Sequence, residues 1–182
     1  MEVQPNRYRD LWVKIAATIL LIVITGLIIN NLLSANEASV FETTIHKRSL
    51  KLPDGSEVTL NKNSKLTMKK DFGSKKRVVT FEGEAFFDVS PDTTKPFIIL
   101  TPRTTLEVTG TSFNVRAYDS IPNVEVTVKT GRVSLYVPQL QTTLELAAGE
   151  RGIFKKSERK LLKEKSTEAS SQTTSFFSTN PG

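Results

Sequence analysis

Lys76 to Ser90 reads KRVVTFEGEAFFDVS, and this stretch decides the fold. Val79 and Phe81 share one face of an extended chain, and beyond Gly83 the two-residue period resumes at Ala85, Phe87 and Val89. Gly83 in the middle predicts a bulge, or a bend where two backbones approach closely, leaving either two strands or one sharply kinked one. Only one of Phe86 and Phe87 can face the core of a regular strand. The other is expected to plug a bulge, the alternative being exposure to a partner.

Upstream, Leu50 and Leu52 form one alternating pair and Val58 and Leu60 another, and Pro53-Asp54-Gly55-Ser56 lies between them. Proline presets φ at the first corner and Gly55 accepts a positive φ, so the segment reads as a β-hairpin. Asn61 to Ser64 is a second turn, leading to Leu66 and Met68, and Phe72-Gly73-Ser74 breaks the next edge. Downstream, strands are expected at Phe97 to Leu100 after Pro96, at Leu106 and Val108, and at Phe113, Val115 and Ala117 after Gly110. Val124, Val126 and Val128 form a ladder, Gly131 turns the chain into Val133, Leu135 and Val137, and Leu144 and Leu146 precede Gly149. Ile153-Phe154 closes the series. The glycines at 83, 110, 131 and 149 recur at drifting intervals, unlike a strict solenoid period. About ten short strands predict an all-β soluble domain over residues 44–156, built as a sandwich, roll or irregular β-solenoid.

One transmembrane α-helix is expected before it. Leu11 to Leu33, LWVKIAATILLIVITGLIINNLL, contains a single charge, Lys14, and a helix needs about 20 apolar residues to cross a bilayer core. Trp12 and Lys14 are the interfacial and snorkelling residues of its first turn. Arg7 and Arg9 lie before the span and Glu37 and Glu42 after it, which places the N-terminus inside. The competing reading is a cleaved signal peptide, but small residues at −3 and −1 of a cleavage site are hard to find. The domain plan is a cytoplasmic stub at 1–10, the span at 11–33, a linker at 34–43, the β-domain at 44–156, and a basic, then Ser/Thr-rich, disordered tail at 157–182.

The net charge of +6 does not point to nucleic acid, because the basic residues are dispersed and seven fall between Arg151 and Lys165, read as a solvated tail. There is no cysteine, which excludes thiol catalysis, disulfides and thiolate metal sites. A triad or histidine metal site would have to be built from His46, the one histidine. Glu82 and Glu84 would share a side of a strand, as glycosidase carboxylates must, but beside a glycine bend they read as structural acceptors. Gly110-Thr111-Ser112 lacks the second glycine and helix of a nucleophile elbow. No enzyme chemistry, cofactor or metal ligand is expected.

Taken in order, Leu52-Pro53-Asp54-Gly55-Ser56 with Leu60-Asn61, Glu82-Gly83-Glu84-Ala85-Phe86-Phe87, Pro96-Phe97, Gly110-Thr111-Ser112-Phe113-Asn114-Val115, Gly131, and Gly149-Glu150 resemble the FecR family. The resemblance covers roughly residues 44 to 154 and the style of the anchor. It implies a single-pass inner-membrane regulator of an extracytoplasmic-function sigma factor in a Gram-negative cell, with the bulk of the chain in the periplasm. It implies as partner the signalling domain of a TonB-dependent outer-membrane transporter. The ten residues before the span are fewer than the helical segment with which such regulators hold the sigma factor. The matched residues therefore carry the sensor domain and leave the sigma-factor contact unsupported. The motif residues themselves read as structural. The alternative function is an envelope-anchored structural or carbohydrate-binding β-domain without sigma-factor control; the only tryptophan, Trp12, lies in the span, which weakens a glycan platform.

Overall fold

The computed structural model describes residues 7–34 and 38–166. They fall into two units divided after Glu37. The first is one helix, α1 (Arg7–Ser34), whose window Trp12–Ile29 has a mean hydropathy of 2.4 and no buried residue. Its length and apolar surface suit a bilayer span.

The second unit is a sheet of thirteen strands: β1 (Ala38–Thr43), β2 (Arg48–Lys51), β3 (Glu57–Leu60), β4 (Ser64–Lys69), β5 (Arg77–Asp88), β6 (Phe97–Leu100), β7 (Thr105–Val108), β8 (Ser112–Ala117), β9 (Asn123–Thr130), β10 (Arg132–Val137), β11 (Thr142–Ala147), β12 (Glu150–Lys155) and β13 (Lys160–Lys165). It nearly closes into a barrel, closer to a roll than to a solenoid, since every pairing except β5–β6 is antiparallel. β5 is common to two layers. Its first half pairs with β4 and β6 and its second with β3 and β8. One layer thus runs β1-β4-β5-β6-β7-β10-β11, the other β2-β3-β5-β8-β9-β12-β13.

Gly83 is where β5 changes layers. Its φ is +120°, and a Cβ there would lie 2.3 Å from Ser64 Oγ and 2.6 Å from Ser64 Cα, so only glycine lets the strands cross this closely. The Ser64 hydroxyl donates to Glu84 O and accepts from Glu84 N–H, both at 3.0 Å. The expected bend is present without a bulge. Burial alternates without a break from Arg77 to Asp88, so Phe87 faces the core and Phe86 the outside, with Lys129 Nζ 5.8 Å from its ring centre. The bulge-plug reading of Phe86 is therefore corrected.

Phe87 lies at the centre of the core. It stacks on Phe113 at 5.5 Å and meets the edges of Phe81 at 5.3 Å and Phe97 at 6.3 Å. All four rings are fully buried, each contributing about 1.5 to 3 kcal/mol by burial.

Two boundaries differ from the sequence expectation. Ala38–Thr43, expected as linker, is a strand on β4; the buried Thr43 hydroxyl donates to Asn61 O and accepts from Ser64 N–H, tying it down. Lys160–Lys165, expected as part of the disordered tail, is a strand on β12. Leu161 packs on the core there, and Lys163 Nζ donates to Glu145 O at 3.0 Å and pairs with Glu150 at 2.7 Å. The two extra strands bring the number to thirteen. The rest of the expected tail, with Phe176 and Phe177, lies outside the described residues.

The β11 side of the roll is sealed by these contacts. Gly152 admits the tips of Leu146 and Leu135 from the other layer, and Glu150 accepts from Ala147 N–H at 2.7 Å. That hydrogen bond, with Lys163, holds the Glu150 carboxyl below its ordinary 4.5. A carboxyl lowered in the folded state favours folding above its unfolded pKa, and the contribution is lost as pH falls through the folded value.

Gly83→Ala should lower stability by about 2 kcal/mol or more through clash and strain together, and Gly73→Ala, also at positive φ but facing open space, by about 1. Urea unfolding of the full chain in detergent reads both, and equal effects would remove the close-approach argument. Glu150→Gln should flatten part of the stability loss below pH 4.5; an unchanged acid limb would show that the carboxylate bonds do not stabilise the seam.

Candidate interaction surface

The motif residues are built into turns, strand crossings and buried hydrogen bonds. In the β2–β3 turn, Asp54 accepts from Ser56 N–H at 3.1 Å and Ser56 Oγ at 2.7 Å, and the Ser56 hydroxyl in turn accepts from Ser90 N–H at 3.0 Å. Arg77, 2% exposed, donates to Asp54 at 2.9 Å, to Ser90 O and Lys95 O at 2.8 Å and to Asp92 O at 3.3 Å. Its guanidinium lies 5.5 Å from the Phe97 ring centre. Leu52 and Leu60 are core, and Gly55 has the expected positive φ of 83°.

Asn61 donates to Glu84 from its backbone at 2.8 Å and its side chain at 3.1 Å. Asn114 Nδ2 reaches the other Glu84 oxygen at 3.5 Å, and its buried Oδ1 has no protein partner. Glu82 is exposed and opposite Lys65, so the two glutamates have different partners and form no catalytic pair. Pro91 lies against Gly110, where a Cβ would stand 2.8 Å from its Cα. Thr111 donates to Arg132 O at 2.8 Å beside Gly131, and Ser112 to Asp88 at 2.6 Å. Pro96 O accepts from Arg77 N–H at 3.2 Å, and Gly149 bonds Val128 O at 2.9 Å. Ala85, Phe97, Phe113 and Val115 are core. His46 is an exposed loop residue, and no cluster among the described residues could hold a metal.

These positions act as joints. A shallow cleft of about 350 Å³ beside Arg77, reaching Phe72, Asp92 and Lys95, is lined by charges already satisfied by one another or by backbone. Asp92 accepts from Thr94 Oγ and N–H and from Lys95 N–H, which holds its carboxyl below the usual range.

The strand registers arrange the outer surface differently on the two layers. Across the first, Val40, Thr67, Thr80, Leu100, Thr105, Tyr136 and Thr143 stand side by side on seven strands. This row carries no charge, and Val40, Leu100 and Tyr136 are 51%, 39% and 39% exposed. Beside it on three strands lie Glu42, Lys65 and Glu82. Across the second layer charges alternate, as in Glu84, Arg116 and Glu125, with Glu125 also paired to Arg151. The first layer thus carries one neutral, threonine-rich row beside a charged one, and the second a row of alternating, partly paired charges. Neutral faces desolvate at lower cost and suit protein contact.

Sequence reasoning missed Arg77. Its signal was available: Arg77 falls in the inward phase of Val79 and Phe81, where a charge requires partners. The neutral row had no linear signal, because its seven members are contributed by strands whose register sequence does not fix.

Comparison with known proteins supports the same domain. The FecR protein family model matches residues 39–134. Two crystal structures of a proposed anti-sigma factor from Parabacteroides distasonis are similar. The one at 2.50 Å is 33% identical, with a TM-score of 0.67, over 71% of this chain and 60% of that one. The one at 1.65 Å is 32% identical, with a TM-score of 0.69, over 76% and 64%. The chain therefore spans less than two thirds of the length of these structures. No curated protein matches.

Arg77→Leu should cost about 3 to 5 kcal/mol, since it strands Asp54 and three carbonyls in a buried site. Arg77→Lys should recover little, because an ammonium cannot reproduce the planar fork. Chemical unfolding measures both; full recovery by lysine would show that charge alone matters at this joint.

Proposed function

The chain belongs to the FecR family, and we propose that it is a membrane-anchored regulator of a sigma factor, its β-domain lying outside the cytoplasm and receiving a signal from another protein. The observation that carries this reading is the FecR match over residues 39–134, with a span-length apolar helix immediately upstream. FecR is a family of regulators, and the similar structures from Parabacteroides distasonis are of a proposed anti-sigma factor.

Arg7, Arg9 and Lys14 before or at the start of the span favour an N-terminus in the cytoplasm. On that basis the β-domain lies in the periplasm of a Gram-negative cell, anchored in the inner membrane. The signal arrives from a TonB-dependent outer-membrane transporter through its signalling domain. The neutral outer row, and the mutual satisfaction of the charges lining the cleft beside Arg77, support recognition by contact.

Deleting the gene should change transcription from the cognate sigma factor's promoters by roughly fivefold or more, the scale of an allosteric coupling. Alkaline phosphatase fused after Lys165 should be active in cells. Unchanged transcription with and without the transporter's substrate would refute regulation, and an inactive fusion would refute the orientation.

A further inference from the structure

The two layers have four lateral edges, formed by β1, β11, β2 and β13. Three are protected against strand pairing. β11 is covered by Lys163 and by Glu150, as described above. β13 carries Lys160, Lys163 and Lys165 in six residues, and β2 is only four residues long and carries Arg48 and Lys51; lysines and short length both discourage edge pairing. β1 is different. Ala38 to Thr43 reads ASVFET, with no lysine, proline or glycine, three residues of high strand propensity in a row of four from Val40 to Thr43, and, among the described residues, no strand paired on its second side.

β1 and β2 flank the side of the roll that is not sealed. Phe41 and Leu50 sit there half-buried against the core, and the Arg48 guanidinium lies 5.8 Å from the centre of the Phe41 ring. The surroundings are more basic than acidic: Arg48, Lys51, Lys65 and Lys69 stand on β2 and β4, with Glu57 opposite Lys51 and Glu82 opposite Lys65, while Glu42 on β1 already pairs with Lys65 at 2.7 Å. An open row of backbone donors and acceptors takes an extended strand. The half-buried Phe41 suits apolar side chains at alternate positions of that strand, and the basic residues around it suit acidic ones between them. A second copy of this chain would bring the same basic rim, so like charges oppose self-pairing.

We propose that β1 is the receiving edge of the domain, docking an extended acidic strand of another protein with alternating apolar residues. The proposal deepens the protein-receiver reading above and rests on it. β1 is also the strand that follows α1 most closely, beginning four positions after Ser34. A strand added at β1 therefore acts on the segment through which any signal to the helix must pass along the chain.

The test uses the full chain in nanodiscs and a fluorescein-labelled peptide, Thr-Val-Glu-Val-Thr-Val-Glu-Thr. Saturable binding is expected, with slowed hydrogen exchange at the amides of Ser39 to Glu42. Val40→Lys, an edge-blocking lysine at an exposed position, and Arg48→Glu should each weaken binding about tenfold or more. Val40→Thr should retain it as the folding control, and Lys160→Glu on the opposite edge should leave it unchanged. Absence of saturable binding, indifference to Val40→Lys, or protection at β13 in place of β1 would overturn the proposal. So would a peptide-free dimer abolished by Val40→Lys, which would assign the edge to a second copy. Flat sigma-dependent transcription with intact peptide binding at β1 would count against the regulatory reading and support this one.

Discussion

A single buried guanidinium fixes how the chain returns on itself. Arg77 begins the longest strand, and its donors reach Asp54 in the first hairpin turn and the carbonyls of Ser90, Asp92 and Lys95 in the segment leaving that strand. Those groups are separated by up to about forty residues and would each be unsatisfied alone. An arginine buried without them would be prohibitively unfavourable, and with them it specifies one path. The one parallel pairing among the described residues, β5 with β6, begins here, with Arg77 opposite Phe97.

Much of the fold was legible because its signals are local. The period of two, the Pro53-Asp54-Gly55-Ser56 corner and the close approach at Gly83 depend on residues near one another in sequence or on backbone conformations that few residue types adopt. The first and last strands were less so. β1 and β13 have weak inward patterns, with one buried residue in β1 and none in β13, and they owe their conformation to the strands beside them. The Phe86 bulge failed for a related reason: glycine at a layer change and glycine at a bulge look alike in sequence, and only the uninterrupted alternation separates them.

The surface chemistry follows from the same architecture. The residues that carry the family resemblance are largely consumed in turns, crossings and buried hydrogen bonds, so they explain why the domain has this shape more than what it touches. Under the proposed reading, recognition falls to the neutral row over the first layer and the β1 edge. A domain of this kind keeps a constant frame while its contacts are set elsewhere.

The shared strand has a kinetic implication. β5 needs β3 and β4 from upstream and β6 and β8 from downstream before its backbone is satisfied on both halves. A chain emerging from its N-terminus, whether from a ribosome or through a translocation channel, thus cannot pair both halves of β5 on both sides until Ala117 has appeared. Until then the aromatic side of β5 is only partly covered, the condition in which an unfinished sheet is most exposed to aggregation.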